Sequence, residues 1–188
     1  MEKEKRIVIG VSGASGIPIA VAVLKAFRRL DDWRTVMVVT NGARQTIPME
    51  SEYTYEEFCG LADEVLDLKN IGASIASGTY RTEGMIIVPC SMKTLAGIHS
   101  GYSDNLLLRA ADVTIKERRK LVLVARETPF SHIHLRNMTE LAQMGAIILP
   151  PMLTYYNLPV TIQDMTNHIA GKVLDIFGIE LEGFNRWK

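Results

Sequence analysis

Apolar residues fall along this chain in two rhythms. Five short runs, residues 6–11, 36–40, 84–88, 121–125 and 146–149, are rich in Val, Ile, Leu and Met and nearly unbroken by polar groups. They read as strands buried on both faces. Between them apolar positions recur at helical spacing. Residues 17–30 form one such stretch, with Pro18 tolerated in its first turn. Others are 41–50, disturbed by Pro48; 54–61, opened by the capping-box pattern Thr54-Tyr55-Glu56-Glu57; and a stretch ending near His99-Ser100-Gly101. Three more follow: 105–119, 131–144 closed by Gly145, and 161–177. Residues 66–80, with Gly72, Ser74, Ser77 and Gly78, read as a loop holding a short turn or strand. Strands separated by helix-length segments need crossover connections. The predicted fold is therefore one three-layer, doubly wound α/β domain over residues 1–188, with a mainly parallel sheet, Rossmann-like or flavodoxin-like.

In such sheets ligands gather beyond the carboxyl ends of the strands. Those ends are residues 12–16, Thr40-Asn41, 89–94, 126–130 and 150–157. Pro89-Cys90-Ser91-Met92-Lys93-Thr94 lies between the apolar run Met85-Ile86-Ile87-Val88 and a helix start at Leu95-Ala96-Gly97-Ile98. Free N–H groups and the positive end of the helix dipole make that junction an anion site, or simply a capped helix. Gly13-Ala14-Ser15-Gly16 repeats the arrangement without completing a dinucleotide fingerprint. A third glycine is missing from its usual place, and Thr40 stands where an acidic residue would end the second strand. Two adjacent turns of this kind suit a mononucleotide with one phosphate, such as FMN, better than NAD.

Composition narrows the classes. At 188 residues the chain can bury about 70% of its unfolded surface. With 21 basic and 21 acidic residues its formal net charge is zero, which gives no electrostatic pull towards nucleic acid or membrane. No apolar run reaches the ~20 residues of a membrane span, and the charged N-terminus is no signal peptide. Cys59 and Cys90 have neither pairing nor metal spacing, which fits a reducing cytoplasm.

Arg126-Glu127-Thr128-Pro129 starts where the fourth run ends. It reads either as a surface ion pair or as a phosphate clamp with an acid/base beside it. Arg109 and Lys116, seven apart on one helix, share nearly one face, and Lys172 lies on the last helix. Tyr155-Tyr156 follows the fifth run, where an aromatic can wall a flat ring or simply pack. Trp187, close to the C-terminus, fits an exposed tail or a subunit interface. His99, His132, His134 and His168 lack metal spacing and read as structural or surface residues. Cys90 has no base beside it in sequence and reads as a small residue in a tight turn.

At these residues the chain resembles the UbiX-type flavin prenyltransferases, including the small B-subunit proteins associated with phenolic-acid decarboxylases. The resemblance rests on Gly13-Ala14-Ser15-Gly16, Pro89 to Ala96, Arg109-Ala110-Ala111-Asp112-Val113, Lys116-Glu117-Arg118-Arg119, Arg126-Glu127-Thr128-Pro129 and Tyr156-Asn157. It implies a homo-oligomer, commonly a dodecamer, binding FMN at the strand ends, often across a subunit boundary. The implied reaction moves a dimethylallyl group from dimethylallyl phosphate to N5 and then C6 of reduced FMN. The prenylated FMN then serves a UbiD-type decarboxylase. By resemblance, Gly13, Ala14, Ser15, Thr40, Ser91, Met92, Lys93, Thr94 and Arg126 match flavin-binding positions. Arg109, Lys116, Tyr156 and Lys172 match the positions that hold the prenyl phosphate. Glu50, Glu127, Ser15 and Trp187 match residues around the reacting groups. No metal is implied, because cationic side chains take the part that Mg²⁺ plays with diphosphates.

Three positions depart from the family pattern. Thr40 replaces a common Ser, Lys172 a common Arg, and Met152-Leu153-Thr154-Tyr155 a more usual Pro-Ala-Phe before Tyr156. Lys172 exchanges a bidentate fork for a point charge. Two rival readings stay open at this stage. One is a flavin-dependent cysteine-type decarboxylase, against which stands the absence of an early His. The other is a non-catalytic carrier subunit that binds FMN for a decarboxylase.

Overall fold

The computed structural model describes residues 4–184 and Arg186. Six strands, β1 (Lys5–Val11), β2 (Trp33–Val39), β3 (Glu64–Leu66), β4 (Gly84–Cys90), β5 (Lys120–Ala125) and β6 (Ile147–Ile148), form one sheet in the order β3-β2-β1-β4-β5-β6. Every pairing is parallel. Seven α-helices connect them: α1 (Ile17–Phe27), α2 (Asn41–Glu50), α3 (Tyr55–Cys59), α4 (Met92–His99), α5 (Leu106–Lys116), α6 (His132–Gln143) and α7 (Ile162–Asp175). A 3₁₀ turn covers Ser74–Ala76.

The unbroken apolar runs make sense because both sheet faces are covered. Along β1, Ile7, Ile9 and Val11 face one core and Val8 the other; along β4, Ile86 and Val88 alternate with Met85 and Ile87. The first core is roofed by α1 and α7, with Ala43 and Ile47 of α2. The second is roofed by α4, α5 and α6. Burial of the four inner strands β2, β1, β4 and β5 is near complete, and β4 has no residue that is even partly exposed.

Three expectations needed correction. A sixth strand, β3, lies at the sheet edge and ends at Leu66, where the residue pattern begins a loop holding a short turn or strand over residues 66–80. Its first two residues, Glu64 and Val65, are exposed, so it carries no apolar run. The fourth strand does not stop at Val88 but runs through Pro89 to Cys90, with an irregular register against β5 between Ile87 and Cys90. Proline is tolerated there because the ladder is already interrupted. Helix α4 then starts at Met92, three residues before Leu95, because Ser91 caps it by accepting from the Thr94 N–H at 3.2 Å. Pro48 does not stop α2, since it sits in the last turn, where only one intrahelical bond is lost.

In this strand order the chain leaves β1 towards β2 on one side and β4 towards β5 on the other. The carboxyl ends of β1 and β4 therefore flank the topological switch point, the crevice where open α/β sheets bind ligands.

Candidate active site

Ser12 ties the two central turns together. It is buried, donates its hydroxyl to the Pro89 carbonyl at 3.0 Å, and accepts the Ser91 N–H at 2.8 Å. The Ser12 N–H also reaches Pro89 O at 3.2 Å. The Arg126 N–H meets Cys90 O at 3.0 Å, fastening the end of β5 beside them. Sequence reasoning passed over Ser12, although a serine between an apolar strand and a glycine turn is the signal that marks it.

The β1–α1 turn also packs on the start of α2. A Cβ placed on Gly13 would lie 2.9 Å from the Gly42 Cα, and one on Gly42 would lie 3.2 Å from the Gly13 Cα. Backbone rests on backbone, so a side chain at Gly13 forces the turns apart and one at Gly42 crowds them. Thr40 caps α2 by accepting the Ala43 N–H at 3.2 Å. Four of the flavin-position candidates, Gly13, Ala14, Ser15 and Thr40, are thus gathered at one end of the sheet, with Ser91, Met92, Lys93 and Thr94 across the switch point.

The anion expected at the start of α1 is supplied by the chain itself. One carboxylate oxygen of Glu50 accepts the N–H of Gly16 at 2.8 Å and that of Ile17 at 3.0 Å. Partial burial pushes the Glu50 carboxyl up. The Ser15 hydroxyl, those two N–H groups and the positive charge of Arg126 outweigh burial and hold it below its ordinary value. Helix α1 is therefore already capped, and an external phosphate needs other donors. Helix α4 has them. With Thr94 N–H taken by Ser91, the N–H groups of Met92 and Lys93 have no hydrogen-bond partner among the described residues. The same holds for Asn41 and Gly42 at the start of α2. Unpaired helix-terminal N–H groups, two exposed cations (Lys93 and Arg126) and the Thr40 hydroxyl form a donor set that fits the phosphate and ring edge of FMN, while the Ser15 hydroxyl gives its one proton to Glu50.

Glu127 follows Arg126 at the same strand end, half-buried, with its carboxylate accepting the Thr128 N–H at 3.0 Å. Cys90 is fully buried, and burial alone pushes its thiol up to about 12. That removes it as a nucleophile, in line with its sequence reading. Trp187 lies outside the described residues. Among those residues, no group of three or more His, Cys, Asp or Glu is placed to hold a metal ion.

The four prenyl-phosphate candidates do not meet within one chain. Arg109 and Lys116 are on α5, over one sheet face, while Lys172 is on α7, over the other. Lys116 ends α5 just before β5 begins, so it lies towards the amino edge of the sheet. Both α5 cations have local partners. Arg109 donates to Asp112 at 2.7 Å and to Ala76 O at 3.3 Å, and Lys116 to Glu117 at 2.5 Å. Tyr156 is half-exposed and touches α7, its hydroxyl 3.4 Å from His168 Nε2. Lys172, one helical turn beyond His168, is exposed. His168 had been read as structural or surface; the structure sets it against Tyr156. Around this pair, Met152, Leu153, Tyr155, Leu158, Val160 and Ile162 are all exposed.

The flavoprotein family profile matches residues 1–175. A probable UbiX-like flavin prenyltransferase from Sedimentibacter hydroxybenzoicus is 50% identical over 183 residues, 97% of each chain. The dodecameric FMN-dependent UbiX-like decarboxylase from Escherichia coli O157:H7 superposes with a TM-score of 0.96 at 46% identity, covering 97% of this chain and 99% of that one. AnUbiX (PadA1), solved with FMN and dimethylallyl pyrophosphate, also gives 0.96 at 46% identity, over 99% and 98% of the two chains. The peptidyl-cysteine decarboxylase EpiD, at 13% identity and a TM-score of 0.63, shares the fold alone. With this identity over nearly its whole length, and with the switch-point crevice built as described, the chain belongs to the UbiX-type flavin prenyltransferase family of flavoproteins.

Proposed function

We propose that this chain transfers a dimethylallyl group from dimethylallyl phosphate to N5 and C6 of reduced FMN, making prenylated FMN for a UbiD-type decarboxylase. The observation that carries the proposal is the crevice at the ends of β1 and β4. It combines unpaired anion-binding N–H groups with a buried Ser12 lock and Glu50 set against Ser15. The FMN-bearing relative of the same fold supports it.

Reduced flavin, when bound, supplies the nucleophilic atoms. The chain's own residues act on charge and position. Breaking an allylic C–O bond leaves an anionic phosphate and positive charge on the prenyl fragment. Arg109, Lys116 and Lys172 neutralise the first, and the face of Tyr156 stabilises the second. Glu50 holds Ser15 and the start of α1 in register with the crevice. Glu127, or the departing phosphate, takes up the protons released at the flavin.

Gathering the four phosphate ligands requires more than one copy, because they lie on opposite sheet faces and at different heights. The exposed apolar stretch beside Tyr156 supports burial against a neighbouring subunit, as does the dodecameric relative. The assembly we infer is a homo-oligomer, a dodecamer, in which those side chains converge at each flavin. No helix among the described residues is long and apolar enough to cross a membrane. We place the protein in the cytoplasm, where its two free thiols stay reduced.

The test is anaerobic incubation of the full chain with reduced FMN and dimethylallyl phosphate, followed by mass spectrometry of the extracted flavin. A flavin heavier by one prenyl unit is expected. Unmodified flavin from a protein that still binds FMN would make the chain a carrier, and the transferase reading would be lost.

A further inference from the structure

Of the run Lys116-Glu117-Arg118-Arg119 at the end of α5, only Lys116 has a part in the reaction proposed above. The other three residues shape what stands around it. The helix closes in a Schellman turn: Arg118 takes the left-handed conformation at φ 55°, its N–H reaches Ile115 O at 2.9 Å, and the Arg119 N–H reaches Thr114 O at 2.9 Å. Arg119 then meets the loop that precedes β4. Its half-buried guanidinium donates to Gly78 O at 2.6 Å and to Tyr80 O at 2.9 Å. Among the described residues, the backbone between 77 and 82 makes a single bond to itself, Tyr80 N–H to Ser77 O at 3.2 Å. The arginine fork supplies the hold that the loop lacks, and it spans two carbonyls two residues apart, which a point charge cannot do.

The same loop supports both α5 cations. Arg109 donates its Nε–H to Ala76 O at 3.3 Å. The Lys116–Glu117 ion pair lies against Gly78, where a Cβ would overlap the Glu117 carboxylate and come within 2.8 Å of Lys116 Nζ. The Glu117 carboxyl is held below its ordinary range first by the Lys116 hydrogen bond, then by the Lys116 charge, with a smaller pull from Arg119. Glu117 takes one of the three ammonium donors of Lys116. Gly78 is outside the left-handed region, so alanine fits its backbone, and the atoms that its Cβ would displace are the ends of two flexible side chains.

We propose that Arg119 is a positioning residue for the prenyl donor: by pinning the Gly78 and Tyr80 carbonyls it sets the loop on which Arg109 and the Lys116–Glu117 pair rest, and so fixes where the two α5 cations present their charge to the donor's phosphate. The inference rests on the transferase reading given above. Arg119 acts through the loop and does not touch the phosphate.

The experiment uses the full chain with reduced FMN saturating. It measures KM and kcat for dimethylallyl phosphate, the Ki of inorganic phosphate against that donor, and the Kd of FMN. Arg119→Met and Gly78→Ala should each raise the donor KM and the phosphate Ki about tenfold. The kcat at saturating donor should stay within about threefold, because a bound phosphate draws the flexible lysine back, and the Kd of FMN should not change. Arg119→Lys keeps the charge without the fork and should share most of the loss. In a Lys116→Met background, Gly78→Ala should alter the donor KM by less than about twofold, since the side chain it displaces is gone.

An unchanged donor KM in Gly78→Ala overturns the inference. Full recovery by Arg119→Lys also overturns it, because charge alone would then be the cause. So does an effect of Gly78→Ala that persists in Lys116→Met, or an equal loss of FMN and donor binding, since either makes the loop merely structural. If Arg119→Met fails to fold or assemble, Arg119→Lys and Gly78→Ala decide. A wild-type chain that makes no prenylated flavin removes the transferase reading and this inference with it. A wild type that prenylates normally while the variants match it removes this inference alone.

Discussion

Replacing Glu50 by Gln tests how the crevice is held. The carboxylate accepts two backbone N–H groups at 2.8 and 3.0 Å at the start of α1, close enough to Arg126 to feel its charge. Glutamine keeps an oxygen for those donors and loses the charge. A charge at a helix N-terminus contributes about 0.3–1 kcal/mol when exposed and up to about 2 when partly buried. Hydrogen bonds to a charged group exceed neutral ones by about 1 kcal/mol. Glu50 is only partly buried, so screening trims the sum, and about 1–2 kcal/mol at pH 7 is expected. For a chain of this size that corresponds to roughly 2–8 °C in Tm. The pH dependence gives the sharper reading. Glu50 has a folded pKa below its unfolded one, so its contribution is present above the unfolded value and is lost as pH falls through the folded value. Urea unfolding of wild type and Glu50→Gln should therefore differ at pH 7 and converge as the medium is acidified below the ordinary carboxylate range. Protein concentration must be fixed, because subunit association shifts the midpoint by mass action. A stability gap that stays constant with pH, or none at pH 7, refutes the account of Glu50 as the charged cap of α1.

Two further outcomes follow from the packing. Gly13→Ala forces a Cβ to 2.9 Å from the Gly42 Cα, and should cost about 1–3 kcal/mol in urea unfolding; an unaltered midpoint would mean that the two turns separate freely. A thiol reagent should find no more than Cys59 in the native chain and both cysteines in urea, since Cys90 is fully buried with its thiol pushed up to about 12. Fast labelling of native Cys90 would contradict the burial of β4.

Much of the fold could be read from the pattern of residues. Strands β1, β2, β4, β5 and β6 and the seven helices of the described residues stand within a few residues of where periodicity and capping residues put them. Such signals are local: a buried strand needs consecutive apolar residues, and a helix start needs a capping side chain three residues from its N–H. β3 escaped because a three-residue edge strand with two exposed side chains has no apolar rhythm to detect. The start of α4 was displaced because Pro89 looks like a stop, and the register shift that admits it depends on the neighbouring β5.

Candidate chemistry divides in the same way. The glycine turn, the Ser91-to-Thr94 junction and Arg126-Glu127 are contiguous motifs, and their place at strand ends follows from chain order once the sheet is parallel. Tertiary structure decided what lies between them. It made β1 and β4 neighbours although two other strands separate them in sequence, and it let Ser12 bridge them over 79 residues to Ser91. It delivered Glu50 to the α1 N-terminus from 34 residues away, filling an anion site that the motif alone left open. It also set His168 against Tyr156 and put Arg109 and Lys116 over the opposite sheet face from Lys172. Sequence by itself determined which segments are strands, helices and turns, and which turns can bind an anion, because those properties depend on neighbours within a few residues. Which turns face each other, which anion sites the protein keeps for its own carboxylate, and which cations lie over opposite faces of the sheet depend on hydrogen bonds and packing between distant segments, and no local pattern records them.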